Sequence, residues 1–118
     1  MCSLDSITYG YSGPFHGASL DGISVGGETL FRSGIGPLRP GTEHVPPPNA
    51  KACLFGCSGA CNLRCADYIE YVLEKEGDVG AVVAETVRNT GVIPPRDYWK
   101  KVRAACDRYG SLLILDEI

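Results

Sequence analysis

Two short apolar segments, each followed by an acidic residue, constrain most strongly what this chain can fold into. Residues 79–84 (VGAVVA) precede Glu85, and residues 112–115 (LLIL) precede Asp116. The stretch between them starts after a Pro-Pro pair, repeats its apolar residues at helical spacing and ends at a glycine, which is typical of an amphipathic helix. This order predicts a βαβ unit over 79–116, with parallel strands joined by a right-handed crossover.

The acidic residues at the two strand ends are the first candidates for a functional site. Continuous rather than alternating apolar character predicts strands with both sheet faces covered, as in α/β proteins. If the strands are neighbours, about 4.8 Å apart, Glu85 and Asp116 open onto the same end of the sheet. In open α/β sheets that end is where ligands bind.

The chain divides into two parts of different character. Residues 1–60 hold 11 of the 15 glycines and 6 of the 8 prolines, which predicts turns and short extended pieces. Residues 61–118 are periodic, and a helix is predicted around Cys65, with Asn62 as its N-cap and Gly77 at its end.

Composition and charge favour an ordinary globular protein. The 118 residues are 44% hydrophobic and 21% charged, enough for one modest core. A net charge of −3 gives no support for nucleic-acid or membrane-surface binding. No apolar run approaches the ~20 residues that span a bilayer, and no signal peptide is visible. We therefore expect a cytoplasmic protein without nucleic-acid or membrane partners.

An apolar strand followed by Asp-Glu also occurs in P-loop enzymes, where it holds magnesium beside ATP. Upstream, residues 55–62 (FGCSGACN) precede a predicted helix and imitate a phosphate loop. Such a loop needs a lysine for the phosphate charge and a Ser or Thr hydroxyl for the metal. Cys61 and Asn62 provide neither, so this interpretation is disfavoured.

Four cysteines recur at every fourth residue, namely Cys53, Cys57, Cys61 and Cys65. Zinc and iron–sulfur sites usually take thiolates from tight CxxC pairs. A spacing of four is instead the helical period, so Cys61 and Cys65 fit one buried helix face. A turn between Cys57 and Cys61 could still bring these two together. A small thiol- or metal-binding module is thus the alternative from another functional class, and metal analysis would distinguish it.

The sequence PFHG at residues 14–17 places an aromatic residue beside a histidine in a Gly-rich stretch. Such a pair commonly reflects local packing. The functional alternative is a pocket in which the ring of Phe15 is a stacking surface for a flat ligand, with His16 lining the same pocket.

Together these motifs resemble the class III aminotransferases, which depend on pyridoxal phosphate (PLP) and have the fold type I architecture. Residues 15–48 resemble the family segment that begins aromatic-His-Gly and closes on Gly-Pro-Leu, Pro-Gly and His-Val-Pro. Residues 79–118 resemble the family run from an Ala-Glu strand end to an Asp-Glu strand end. The resemblance implies that residues 1–118 are an interior part of the large, PLP-binding domain, with a mostly parallel sheet.

The resemblance also implies a role for each candidate residue. Phe15 would stack on one face of the PLP ring with His16 beside it, and Asp116 would pair with the ring nitrogen. A carboxylate keeps that nitrogen protonated, and a protonated ring accepts the electrons released when the substrate loses its α-proton. Glu85 would lie near the cofactor or the substrate.

The chain departs from the family pattern after Glu85. The family usually has Pro and then Gln where this chain has Thr86 and Arg88. Arg88 is therefore predicted to bind a carboxylate, phosphate or phosphonate of the substrate, the alternative being a surface ion pair. Because of this departure, the ammonia- and phospho-lyases of the family remain an alternative. They would act on an amino-alcohol phosphate or phosphonate.

The lysine that forms the Schiff base with PLP lies beyond Ile118 in the family pattern. The lysines present, which are Lys51, Lys75, Lys100 and Lys101, are not expected to replace it. We therefore predict a fragment without a catalytic residue, inactive and poorly soluble alone because its sheet edges would be exposed. The parent enzyme would be a cytoplasmic homodimer that transfers an amino group between an amine or amino acid and a keto acid.

Overall fold

The structure is a computed structural model that describes residues 5–9, 15–57, 60–88 and 91–118, with only the backbone described for 5–9. The strands are β1 (Asp5–Tyr9), β2 (Thr42–Val45), β3 (Val79–Glu85) and β4 (Leu112–Asp116). The helices are α1 (Leu20–Val25), α2 (Thr29–Arg32), α3 (Arg64–Glu76) and α4 (Tyr98–Tyr109). Within these residues no helix combines the length and the apolar character that crossing a bilayer requires.

The four strands form one parallel sheet in the order β2-β1-β3-β4. The strands β3 and β4 are neighbours, and their register sets Val82 opposite Leu113 and Glu85 opposite Asp116. The predicted parallel β-α-β arrangement over 79–116 is therefore confirmed. Its cause is local, because two continuous apolar segments flank an amphipathic helix, and a helical crossover is the connection that parallel strands require.

The core lies between the sheet and the pair α3 and α4. Its buried apolar residues are Val45, Cys65, Ala66, Ile69, Val72, Leu73, Val79, Val82, Ala84, Tyr98, Val102, Ala105 and Cys106. The predicted apolar face of α4 is confirmed, since Tyr98, Val102 and Cys106 are each 0% exposed. Each fully buried side chain of this size contributes about 1.5–3 kcal/mol relative to leaving it in water.

Only one face of β4 is covered in the described part of the chain. Side chains alternate between faces along a strand, and Leu113 packs on the core. On the other face Leu112 is 66% exposed and Ile114 is 47% exposed. Within the described residues α3 and α4 lie on the same side of β4, so only one of the two faces that were expected to be covered has its cover here.

The start of α3 also differs from the prediction. Leu63, with φ 60°, is the N-cap instead of Asn62, so the helix begins one residue later than expected. Asn62 still satisfies the helix end, since its Oδ1 accepts from the N–H of Arg64 at 3.2 Å. The predicted stop at Gly77 is confirmed, because its φ of 72° lets its N–H return to the carbonyl of Leu73.

The Gly/Pro-rich first part contains two short helices that the composition did not predict. In α1 the Ser19 hydroxyl accepts from the N–H of Gly22 at 3.0 Å, which is an ordinary N-cap. Gly22 also lets α1 approach the preceding loop, because an added Cβ would lie 2.9 Å from the carbonyl oxygens of His16 and Gly17. This contact anchors the loop that carries the first candidate site residues.

Candidate functional site

The carboxyl ends of β3 and β4 place two acidic side chains side by side. Glu85 and Asp116 are direct partners in the strand register. Glu85 follows the core residue Val82 by three positions, and Asp116 follows Leu113 by three. Because side chains alternate between the two faces of a strand, both acids lie on the face opposite α3 and α4. The sequence prediction that these acids meet at one end of the sheet is confirmed in its geometry.

A hydrogen bond joins the loop at residue 16 to the end of β4. His16 Nδ1 lies 2.9 Å from Asp116 Oδ2, and the two side chains are 7% and 19% exposed. The N–H of Ile118 donates to the other carboxylate oxygen at 3.3 Å. The hydrogen bond from His16 is the main reason that the pKa of Asp116 lies below its usual value, and burial opposes it. Asp116 is therefore ionised at neutral pH, which assigns the proton to His16 Nδ1.

The same loop is also held by the end of β3. The backbone N–H of Phe15 donates to Glu85 Oε1 at 3.2 Å. The ring of Phe15 packs on the ring of Phe31, with centroids 4.9 Å apart and planes tilted by 48°. Phe15 is still 42% exposed, so its ring keeps area that a planar ligand could cover.

The four predicted residues line one open cavity. Its lining residues are Phe15, His16, Gly17, Glu85, Val87, Asp116 and Ile118, and its empty volume, open solvent included, is ≈ 660 Å³. Two buried polar atoms here, His16 Nε2 and Glu85 Oε2, have no hydrogen-bond partner within the described residues. Buried polar atoms are normally satisfied, so both indicate a place for a polar ligand.

Arg88 is not brought together with these four residues. It lies in the turn after β3, where its N–H donates to the carbonyl of Val92 and its own carbonyl accepts from Gly91. It lines a second cavity, of ≈ 1100 Å³ with open solvent included, together with Asn49, Ala50, Lys51, Gly91, Val92 and Ile93. Arg88 is only 8% exposed, so it is not the surface residue that the ion-pair alternative assumed.

The sequence did not reveal Phe31 or Gly22, which support the site from α2 and α1. Phe31 is sixteen residues from Phe15 and belongs to a helix of four residues, too short for a periodic signal. Gly22 gave no signal either, because α1, the helix that contains it, was not predicted.

The cysteine row does not form a metal centre in the part of the chain that the structure describes. No group of three or more His, Cys, Asp or Glu side chains there is placed to hold an ion. Only Cys65 lies on α3, because that helix begins at Arg64. The expectation that Cys61 shares a helix face with Cys65 is therefore wrong.

The fold of this chain is similar to that of solved transaminases. An amine transaminase from an uncultivated Pseudomonas species, solved with PLP bound, matches 96% of this chain and 26% of its own, with 27% identity and a TM-score of 0.80. A thermostable (S)-enantioselective ω-transaminase from Thermomicrobium roseum matches 98% of this chain and 26% of its own, with 28% identity and a TM-score of 0.84.

The chain belongs to the class III aminotransferase family, whose model matches residues 7–118. An (R)-1-hydroxy-2-aminoethylphosphonate ammonia-lyase from Vibrio splendidus (strain 12B01) is 48% identical over 120 residues, which cover 88% of this chain and 25% of the lyase. The chain thus spans about a quarter of the length of these relatives. The predicted family and fold type are confirmed, and an independent Cys-rich module finds no support.

The residues present fit PLP, the cofactor that the family and its PLP-bound member identify. The ionised Asp116 suits a protonated ring nitrogen, and Phe15 offers apolar ring surface. The unsatisfied nitrogen of His16 and oxygen of Glu85 suit a polar, substituted ring.

Proposed function

We propose that the whole protein uses PLP to act on the amino group of a small amine, and that this chain holds one side of the cofactor ring. The observation that carries the proposal is the ionised Asp116, held by His16 at the carboxyl edge of the sheet beside Glu85 and Phe15. When bound, PLP supplies a ring that accepts the electrons of a bond broken at the substrate carbon.

Each residue of this chain has a separate task in that proposal. Asp116 holds the ring nitrogen in its protonated form. His16 keeps Asp116 ionised and in one orientation through the Nδ1 hydrogen bond. Phe15 covers one face of the ring and excludes water from it. Glu85, anchored through Oε1 by the N–H of Phe15, directs Oε2 at the cofactor or the substrate. Three statements remain predictions: that residues 1–118 belong to the large domain, that the enzyme is a homodimer and that it is cytoplasmic.

Two reactions share this site and differ in the fate of the amino group. Amino transfer, the reaction predicted from the sequence, is supported by the family and by the solved transaminases. Ammonia elimination is supported by a specific observation, the 48% identity to an ammonia-lyase compared with 27% and 28% to the two transaminases. Thr86 and Arg88, which depart from the usual family residues, keep elimination in contention. We therefore propose elimination from a hydroxylated aminoalkylphosphonate as the reaction, with amino transfer as the second candidate.

An assay of ammonia release separates the two reactions. The purified holoenzyme is incubated with (R)-1-hydroxy-2-aminoethylphosphonate in the presence and absence of pyruvate. We expect ammonia in amounts equal to the substrate consumed, with no need for pyruvate. Substrate consumption that requires pyruvate and forms alanine would establish amino transfer and contradict elimination. No consumption of this substrate or of other small amines by a PLP-loaded enzyme would contradict the proposed function altogether.

Arg88 is proposed to bind the anionic group of the substrate. It shares its cavity with Lys51, so two cationic side chains border the same open volume. The Arg88→Gln change removes a charge-assisted contact worth about 1.5–3 kcal/mol, so we expect KM for a phosphonate substrate to rise about 10- to 100-fold. A neutral amine of similar size should be processed at an unchanged rate.

The control for Arg88 is the Arg96→Gln variant, which removes the same charge from an exposed position nearby. Steady-state kinetics on the phosphonate and on the neutral amine give the comparison. Equal losses on both substrates, or a loss of the same size in the control, would show that Arg88 does not bind the substrate anion.

A further inference from the structure

Phe15 borders two cavities. One is the cavity that it shares with Glu85 and Asp116, named here the Asp116 cavity. The other, named here the Phe31 cavity, has an empty volume of ≈ 170 Å³ with open solvent included. Among the described residues, Phe31 lines only the second of the two. A side chain with open volume on two sides has more than one allowed rotamer, so its direction depends on the neighbours that pack on it.

The neighbour that packs on the ring of Phe15 is Phe31. The two ring centroids are 4.9 Å apart, which lies within the range of about 4.5–7 Å that aromatic pairs prefer. The backbone of Phe15 is held separately, because its N–H donates to Glu85 Oε1 at 3.2 Å. That hydrogen bond fixes the backbone and leaves the side chain free to turn about χ1. The direction of the Phe15 ring therefore depends on its contact with Phe31.

The helix that carries Phe31 is itself tied to the sheet. The single turn of α2 is closed by the N–H of Ser33, which donates to the carbonyl of Thr29 at 3.0 Å. The preceding helix α1 contacts α2 and has Gly26 as its C-cap. The carbonyl of Gly26 accepts from Nε2 of His44, in β2, at 3.2 Å. The fold therefore holds Phe31 in place, so Phe31 can serve as a fixed support for a neighbouring ring.

We propose that Phe31 is a positioning residue for the cofactor, which holds the ring of Phe15 toward the Asp116 cavity and thereby strengthens the binding of PLP. The inference rests on the proposed function, since it requires PLP in that cavity. Phe31 acts only through Phe15 and does not itself contact the cofactor. Without the ring of Phe31, Phe15 would turn part of the time into the enlarged Phe31 cavity, and the stacking surface for PLP would be lost during that time.

The first test measures the affinity of the full-length enzyme for PLP. The apoenzyme is titrated with PLP, and the apparent Kd is obtained from the absorbance of the bound cofactor. We expect Phe31→Ala to raise this Kd about 3- to 10-fold, because the change removes one aromatic pair. Phe31→Leu fills part of the same space and should give an intermediate value. A Kd for Phe31→Ala equal to that of the unmutated enzyme would overturn the proposal.

The matched control is Leu30→Ala, which removes a large apolar side chain from the same short helix. Leu30 is 77% exposed, and it lines neither the Asp116 cavity nor the Phe31 cavity. This variant therefore reports any effect of a change in α2 that does not involve the ring of Phe15. Its Kd for PLP should equal that of the unmutated enzyme. A rise of the same size in Leu30→Ala and Phe31→Ala would show that the ring of Phe31 has no specific role.

A double-mutant cycle separates positioning from a merely structural role. Phe15→Ala alone should raise the Kd for PLP about 10- to 100-fold, because it removes the stacking ring. Addition of Phe31→Ala to that variant should raise the Kd no further, since Phe31 then has no ring to hold. Thermal unfolding of each apoenzyme is measured in parallel. A lower unfolding temperature without a change in Kd, or increases in Kd that multiply in the double variant, would contradict the proposal.

The same titrations distinguish a failure of this inference from a failure of the proposed function. An unmutated enzyme that binds no PLP would contradict the proposed function and this inference together. An enzyme that binds PLP, and loses affinity with Phe15→Ala but not with Phe31→Ala, would contradict only the role of Phe31. Loss of affinity in both single variants, with no further loss in the double variant, is the result that the inference predicts.

Discussion

Replacement of Asp116 by Asn in the holoenzyme is expected to lower kcat about 100- to 1,000-fold, because a neutral amide does not keep the ring nitrogen protonated as a carboxylate does. The Asn side chain has nearly the same shape, and its Oδ1 can still accept from His16 Nδ1, so the site should keep its geometry. Kinetics on the preferred amine, together with PLP content from absorbance, measure the effect. PLP should remain bound.

The control is Asp107→Asn, which makes the same chemical change on the exposed side of α4, where Asp107 pairs with Arg103. Its kcat should equal that of the unmutated enzyme, since surface pairs of this kind contribute little. If Asp116→Asn kept PLP bound and retained full kcat, then Asp116 could not be the residue that holds the ring nitrogen, and the assignment of the site would be wrong.

Removal of His16 should have the second largest effect and should change the pH dependence. His16 lowers the pKa of Asp116 through the Nδ1 hydrogen bond. In His16→Leu that pKa rises, so the carboxylate is protonated at a higher pH and the acid limb of kcat/KM moves upward in pH. Loss of one charge-assisted hydrogen bond of about 1.5 kcal/mol should also cost roughly tenfold in kcat at neutral pH.

The His16→Asn variant tests the hydrogen bond itself, because an amide N–H can replace Nδ1–H as the donor. It should restore most of the activity and return the acid limb toward lower pH. The stability of the folded protein depends on pH in the same direction. The pair stabilises the protein above the ordinary Asp pKa of 3.8 and ceases to do so as the pH falls through the lowered value. A pH profile of His16→Leu that matches the unmutated enzyme would contradict this role.

The βαβ unit could be predicted because its signals are local. Residues 79–84 and 112–115 are continuous apolar runs, and the helix between them has a clear apolar face ended by Gly110. Parallel pairing then follows from the short connections. That Glu85 and Asp116 share one edge was therefore derivable from the residues alone, although their direct opposition in the register was not.

The remainder of the site was not derivable from local pattern. His16 and Asp116 are 100 residues apart, and no periodicity connects a Gly-rich loop to a distant strand end. Resemblance to the family assigned both residues to one cofactor site, but it did not predict the hydrogen bond between them. The errors have local causes as well. Leu63 adopts a left-handed conformation that the hydrophobic pattern does not reveal. As a result α3 begins after both Asn62 and Cys61.

The most direct test of the central claim is a crystal structure of the full-length holoenzyme with PLP bound. We predict the Asp116 carboxylate at about 2.7–2.9 Å from the ring nitrogen, as expected for a charge-assisted hydrogen bond, with the ring of Phe15 against one face of the cofactor and His16 still bonded to Asp116. A cofactor that lies elsewhere, or one that presents its phosphate group instead of its ring nitrogen to Asp116, would contradict the account.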